Sequence, residues 1–341
     1  MKIILAPPNF PQPRGNTVTV QRISDNLRKL GVETEIVSTT DESSVHLFPK
    51  ADLVHGFHAY QFYRFMQKLP SPPSTYVVTL TGTDLNLDLF DKGKRNDVIA
   101  SLKGASAVHV FDDRAKGILV EEIPEIAEKI AVVAQGNSEF PIVEPPAAKE
   151  SGTFLFVLPA GIRKVKNVPA AIGMLSELHA LKPELRLWLA GPILEDAEGE
   201  TVLELADKYS GWIHYLGQLP HSSMGSLYEQ ADVLLNTSHS EGQPAAILEA
   251  MGYGCAVLVS DVQGNNGIVD HQETGLLYKD KKEFLDYAKL LMENDELRQK
   301  VGMNAKRQIA EHHSSLHEAA KFLEIYNRIL NSTHEGEKNN G

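Results

Sequence analysis

The amino-acid sequence predicts an α/β protein made of two doubly wound domains. Short apolar runs alternate with helix-spaced amphipathic segments along the 341 residues, which is the pattern of repeated strand–helix units. The runs are continuously apolar, as in parallel strands that are covered on both faces. A stretch rich in Pro, Ser and charge, residues 138–152, separates two sets of these units and indicates a linker.

Six apolar runs precede the linker and six follow it. The first are KIILA, EIVS, DLVHGF, TYVVTL, AVHVF and KIAVVAQ, and the second are TFLFVLPA, RLWLAGP, IHYLG, DVLLNTS, AVLVSD and GLLY. One helical segment ends at Gly31 and another begins near Pro169. We therefore assign residues 1–145 to an N-terminal domain and 146–315 to a C-terminal domain, with a ligand expected between them. Residues 332–341 are polar and predict a disordered tail.

Composition excludes several partners and sites. The formal net charge of −12 argues against nucleic acid or an anionic membrane surface as a partner. A single cysteine, Cys255, excludes an internal disulfide, fits a cytoplasmic protein, and lies in an apolar run that predicts a buried thiol. No run approaches the roughly 20 apolar residues of a membrane span, and the N-terminal run is too short for a signal peptide. The histidines lack metal-ligand spacing, and we expect His312 and His313 in solvent.

The stretch NTSHSEGQPAAILEAMGYG, residues 236–254, places carboxylates around a helix start. Between strand and helix lie Glu241, Gly242, Gln243 and Pro244. Pro244 suits the first helical position, and the free N–H groups there favour an anion or a hydroxyl. Glu249 lies about 7.5 Å further along the axis. Two acceptors so far apart suit hydroxyls at the two ends of one polar ligand; the alternative is a helix-end charge and a paired or solvated residue.

The stretch LPAGIRKVKNVPAA, residues 158–171, is a basic turn between a strand and a helix. It contains Arg163, Lys164 and Lys166. Cations in such a turn suit a diphosphate, and the alternative is an ordinary solvated turn. The chain has no P-loop and no G-x-G-x-x-G, so ATP-cleaving and NAD-binding functions lose their main support.

The N-terminal half offers weaker candidates. Gly15 and Asn16 lie between the first strand and its helix, where a glycine lets a ligand approach the backbone, although Asn16 could equally be a helix N-cap. Three residues follow the third and fourth strands and could face the ligand: His58, Thr83 and Asp84. A structural role is the alternative for His58.

The Glu-x7-Glu element 241–249, the Lys166–Asn167 pair and the two α/β halves together resemble retaining glycosyltransferases of the GT-B fold, family 4 (glycosyl transferases group 1). The resemblance covers nearly the whole chain and is strongest over residues 153–280. It implies a nucleotide sugar held mainly by the C-terminal domain, an acceptor held mainly by the N-terminal domain, and metal-independent transfer with retention. It also implies that a last helix, residues 316–331, crosses back to the N-terminal domain.

The resemblance also implies roles for single residues. Glu241 would bind hydroxyls of the donor sugar, Glu249 the ribose, and Lys166 the departing diphosphate. The backbone around Gly242 and Gln243 would hold sugar or phosphate.

Two departures from the family pattern stand out. The position five residues before Lys166, usually Arg, is Gly161, so a diphosphate role for Arg163 is an inference. A His-Gly pair usual after the fourth strand is replaced by Thr81-Gly82.

These departures indicate a subgroup of the family, and the donor is expected to be UDP-linked. The acceptor, a small molecule or a glycan, is not identified by the sequence. GNTVTVQRISDNLRKLG, GIRKVKN and GNNGIVDHQETGLLY also resemble, less closely, selenosugar synthases, which join a sugar from its UDP form to a selenophosphate-derived nucleophile. A selenosugar or thiosugar synthase and a non-catalytic nucleotide-sugar-binding protein are therefore the alternatives.

Overall fold

The computed structural model describes residues 1–12, 15–242 and 244–338. The chain forms two compact units, one containing Met1–Gly136 and the chain from His313 onward, the other Asn137–His312. It therefore passes from one unit to the other after Gly136 and again after His312. From the sequence we expected these boundaries after residues 145 and 315.

The first unit contains a parallel sheet with helices between its strands. Its elements are β1 Lys2–Ala6, α1 Gly15–Lys29, β2 Glu33–Ile36, α2 Ser43–His46, β3 Leu53–Phe57, α3 Ala59–Met66, β4 Tyr76–Thr79, α4 Thr83–Asn86, α5 Arg95–Gly104, β5 Ala107–Val110, α6 Asp113–Glu122 and β6 Ile130–Val132. Among the described residues, six strands pair in the order β2-β1-β3-β4-β5-β6. The order reverses between β1 and β3, and such switch points bind ligands at the carboxyl ends of the strands.

The first strand shows why the apolar runs are continuous. Ile3 and Leu5 lie in one hydrophobic cluster, and Ile4 and Ala6 lie in another, all fully buried. Because successive side chains of a strand point to opposite faces, both faces of the sheet are covered.

The second unit repeats this plan. Its elements are β7 Phe154–Pro159, α7 Val168–His179, β8 Leu185–Ala190, α8 Asp196–Lys208, β9 Ile213–Tyr215, α9 Met224–Gln230, β10 Val233–Asn236, α10 Ala245–Tyr253, β11 Ala256–Ser260, β12 Leu276–Tyr278, α11 Lys281–Glu293 and α12 Asp295–His312. Within the described ranges, six parallel strands pair in the order β12-β11-β10-β7-β8-β9, with the switch point between β10 and β7. The fold prediction is confirmed, and each predicted apolar run overlaps a strand.

Helix α10 begins one residue later than predicted. Pro244 has an extended ψ of 110° and is the N-cap, so the first helical residue is Ala245. The helix ends at Gly254, whose φ of +79° is the left-handed conformation that glycine adopts readily. The neighbouring Cys255 is buried as predicted, and burial raises the pKa of its thiol to about 12.

The last helix, α13 Ser315–Lys338, belongs to the first unit. Arg22 of α1 donates two hydrogen bonds to the buried Glu318 carboxylate, at 2.9 and 3.0 Å. The helix continues to Lys338, past residue 332, where we expected disorder to begin, and no proline interrupts it. The prediction for His313 is wrong: its ring is buried, and Nδ1–H donates to the Gln135 carbonyl at 2.7 Å, whereas His312 is exposed.

A chain of buried hydrogen bonds links α13 to the sheet. The His109 Nε2–H group donates to the Val133 carbonyl at 2.9 Å, so His109 Nδ1 accepts from the Thr79 hydroxyl at 2.8 Å. Thr79 then accepts from His55 Nε2–H, and His55 Nδ1 accepts from the Tyr326 hydroxyl, both at 2.6 Å. Burial lowers the pKa of both imidazoles, that of His109 to about 4, so both rings are neutral donors and acceptors.

Candidate active site

Two loops meet at the switch point of the second unit. The loop after β7 contains the basic turn, and the loop after the neighbouring β10 contains Glu241. The His239 N–H group donates to the Val165 carbonyl at 2.8 Å, and the Thr237 hydroxyl donates to the Lys166 carbonyl at 3.0 Å. These hydrogen bonds fix the basic turn against the glutamate loop at the edge of the sheet where α/β proteins bind ligands.

Lys166 and Glu241 form an ion pair across these loops. Their side chains are 16% and 9% exposed, and Lys166 Nζ donates to Glu241 Oε1. The same oxygen accepts from the Ser238 hydroxyl at 2.6 Å and from the Asn236 amide at 3.0 Å. Burial alone would raise the pKa of the Glu241 carboxyl, but the attraction of Lys166 and these hydrogen bonds outweigh it and lower the pKa. Glu241 is therefore a carboxylate that accepts hydrogen bonds.

A second layer of contacts supports the Glu241 loop, and sequence reasoning missed it. The Asn265 amide donates to Asn236 Oδ1 at 3.1 Å. Next to it, Gly264 has a φ of +93°, and a Cβ atom there would lie 2.3 Å from the Gly242 carbonyl oxygen. The GNNG stretch at 264–267 could have indicated a tight turn at this position, because Gly-Asn pairs mark such turns.

The two other residues of the basic turn have different surroundings. The Nε atom of Arg163 is buried and has no hydrogen-bond partner among the described residues. Gly161 packs on Leu194, whose Cδ1 atom would lie 2.6 Å from a Cβ at Gly161. Arg163 therefore has an unused N–H donor, and a side chain at position 161 would require the Leu194 side chain to shift.

Glu249 lies in α10 with its side chain 5% exposed. Its Oε2 accepts from the Tyr228 hydroxyl at 2.8 Å, and its Oε1 lies 2.9 Å from His221 Nε2. Burial and the Glu249 charge raise the pKa of Tyr228 well above its ordinary value, so the hydroxyl stays protonated and donates. Neither partner was predicted, because no motif connects them to Glu249. Of the remaining predicted donor residues, Gly242 is half-buried, Pro244 is buried, and Gln243 lies outside the described residues.

The first unit brings three predicted residues together at the carboxyl ends of β3 and β4. His58 Nε2 lies 3.0 Å from the Thr83 hydroxyl. The fully buried Asp84 carboxylate accepts the backbone N–H groups of Ala59 and Thr81, both at 2.8 Å. Asp84 therefore holds the loops after β3 and β4 together. His58 contributes its ring, and Thr83 its hydroxyl, to the group beside this carboxylate.

The structure adds two polar residues, Asp88 and Lys94, to this group. Asp88 Oδ2 lies 3.8 Å from His58 Nε2, and Lys94 Nζ contacts Asp88 Oδ1 at 2.7 Å. Gly15 is exposed and Asn16 half-buried at the start of α1, and no hydrogen bond between described residues joins them to His58.

In the described part of the chain, no three or more His, Cys, Asp or Glu side chains are grouped to hold a metal ion. None of the helices in residues 1–12, 15–242 and 244–338 has the length and apolar character needed to cross a membrane.

Comparison with known proteins supports the sequence resemblance. Residues 142–308 match the family model described as glycosyl transferases group 1. The Xenopus tropicalis protein named glycosyltransferase 1 domain-containing protein 1 is 28% identical over 312 residues, 88% of this chain and 90% of that protein.

Two solved structures share the fold. Sucrose-phosphate synthase from Thermosynechococcus elongatus superposes with a TM-score of 0.79 at 14% identity, over 97% of this chain and all of that one. The Anabaena protein HepE, solved with UDP and glucose, superposes with a TM-score of 0.75 at 15% identity, over 96% of this chain and all of that one. The chain therefore has a GT-B fold and is a glycosyltransferase, and its residues 142–308 are similar to glycosyl transferases group 1.

Proposed function

We propose that this protein transfers a sugar from a UDP-sugar to a hydroxyl or related nucleophile with retention of the anomeric configuration. The observation that carries the proposal is the Lys166–Glu241 pair, formed across two loops at the switch point of the second unit. A cation for a diphosphate and a carboxylate for sugar hydroxyls are thereby adjacent. The bound UDP and glucose in the HepE structure support this choice of donor.

The donor would lie along the carboxyl ends of β7 and β10. Lys166 and Arg163 would neutralise the diphosphate, and the unsatisfied Nε of Arg163 supports this role. Glu241, kept ionised by Lys166, would accept hydrogen bonds from the sugar, and Glu249 would accept those of the ribose.

The reaction needs no side-chain base. The acceptor oxygen forms a bond to the anomeric carbon as the bond from that carbon to the diphosphate oxygen breaks. The acceptor proton passes to the departing diphosphate oxygen, and UDP leaves. Lys166 stabilises the negative charge that develops on this oxygen, which is electrostatic stabilisation of the transition state.

The acceptor would bind to the first unit near His58 and Thr83. The His58 ring and the Asp88 carboxylate, 3.8 Å apart, offer a donor and an acceptor to one hydroxyl group. Asp84 would keep this pair in place through its two backbone hydrogen bonds.

The direct test measures UDP release from a panel of UDP-sugars, followed by NMR of the product's anomeric proton. We expect release above background with at least one donor, the same anomeric configuration in product and donor, and weaker nucleotide binding in Glu249→Ala. Inversion would overturn the mechanism. A thermal-shift panel of UDP, GDP and ADP provides the control, since a ligand at about 100 Kd stabilises by about 2.7 kcal/mol. A shift with GDP or ADP alone would contradict the choice of UDP.

A further inference from the structure

The Glu249 carboxylate is held from two sides by Tyr228 and His221, at 2.8 and 2.9 Å. Because a carboxylate only accepts hydrogen bonds, His221 must donate, and its Nε2 carries a proton. Each carboxylate oxygen thus receives one hydrogen bond, and the plane of the group is fixed. Without these partners that plane would vary, because the terminal torsion of a glutamate is broad.

The two donors differ in exposure. Tyr228 is buried, whereas 43% of the His221 side chain is exposed. His221 begins a short 3-10 turn after Pro220, and the Phe140 ring packs edge-on against its ring with 4.8 Å between centroids. Aromatic packing therefore holds an imidazole at the surface beside a nearly buried carboxylate.

The remaining acceptor capacity of Glu249 matches a diol. An ionised carboxylate has about four lone-pair positions, and Tyr228 and His221 occupy one on each oxygen. One position on each oxygen remains, which is the arrangement that two neighbouring hydroxyls require.

We propose that His221 is a positioning residue of the nucleotide site: together with Tyr228 it orients the Glu249 carboxylate to accept both hydroxyls of a ribose. The inference rests on the proposed function, which assigns ribose to Glu249. It adds that the site selects ribonucleotides, and that the Nε2–H group of His221 contributes to this selection.

The test is calorimetric binding of UDP and of 2′-deoxy-UDP to the full chain. His221→Ala should weaken UDP binding about tenfold, the effect of losing one hydrogen bond that orients a charged group. His221→Gln keeps an amide donor and should bind UDP within about twofold of the wild type. 2′-Deoxy-UDP should bind the wild type more weakly and respond less to His221→Ala. His214→Ala removes an exposed histidine of β9 and should change nothing.

Three results would overturn the proposal: unchanged UDP affinity in His221→Ala, equal weakening in His221→Gln, or equal weakening of UDP and 2′-deoxy-UDP. A lower melting temperature without ligand, combined with unchanged UDP affinity, would assign His221 to stability and would also overturn it. A wild type that binds no nucleotide would overturn the proposed function itself. The two failures are thus distinguishable.

Discussion

Replacing Lys166 by Met removes the cation beside Glu241 and keeps an unbranched side chain. The two side chains are 16% and 9% exposed, so the pair is largely out of water. Removing one partner of a buried pair destabilises by about 3–5 kcal/mol, and the residual exposure of Lys166 favours the lower end. Turnover should fall about 10²–10³-fold, as when one group that stabilises developing charge is removed.

The destabilisation should depend on pH in a direction that Glu241 determines. In the wild type, burial would raise the pKa of Glu241 above its ordinary 4.5, but Lys166 outweighs burial and lowers it. A lowered pKa stabilises the fold above pH 4.5, and this contribution is lost as the pH falls. Without Lys166, burial dominates and raises the pKa of Glu241. The contribution of Glu241 to the unfolding free energy then increases as the pH falls. The difference in unfolding free energy between the proteins should therefore be largest at neutral pH. It should shrink as the pH falls towards 4.5, because the carboxyl of the variant becomes protonated, and shrink further below pH 4.5, because the wild type loses its own contribution.

Urea unfolding between pH 7 and pH 4 and steady-state UDP release measure the two effects. Lys300→Met, which removes an exposed lysine of α12, is the matched control and should change neither. The double variant Lys166→Met/Glu241→Gln should recover stability without recovering turnover, because it no longer buries an unpaired charge. A stability difference that is independent of pH would refute the electrostatic reasoning, and unchanged turnover would refute the role assigned to Lys166.

Three further predictions concern other parts of the chain. Acidification from pH 6.5 towards 4 should lower the free energy of unfolding by about 3 kcal/mol, because His109 stays neutral in the folded protein down to its pKa of about 4. His109→Gln should therefore flatten the dependence of Tm on pH, and an unaltered slope would contradict this. Tyr326→Phe leaves the buried His55 Nδ1 without a donor and should lower the free energy of urea unfolding by about 1–3 kcal/mol. An unchanged urea midpoint would mean that this hydrogen-bond network does not contribute to stability. Gly264→Ala places a Cβ 2.3 Å from the Gly242 carbonyl at a positive φ and should lower both stability and turnover, so wild-type kinetics would count against the loop geometry.

The strands and the two loops at the switch point could be predicted because their signals are local. Apolar runs covered on both faces identify strands, and a basic turn or a glutamate loop directly after a strand lies at its carboxyl end. The approach of Lys166 to Glu241 follows from the sheet order, since β7 and β10 are neighbours. That order is a property of the whole topology, and no short pattern contains it.

The partners that orient the carboxylates could not be predicted. His221 and Tyr228 precede Glu249 by 28 and 21 residues and reach it only because α9 and the turn before it pack beside α10. The burial of Asp84 and His313 could not be predicted either, because each is a polar residue whose partners are backbone groups of other segments. Such contacts carry no residue-type signature, since a backbone N–H or carbonyl is present at nearly every position.

The crystal structure of the UDP complex tests the central claim most directly. We predict the ribose hydroxyls within hydrogen-bond distance of the Glu249 carboxylate, about 2.6–3.2 Å, and the diphosphate within the same distance of Lys166 Nζ. UDP bound with its ribose away from Glu249, or bound outside the loops after β7 and β10, would contradict the account.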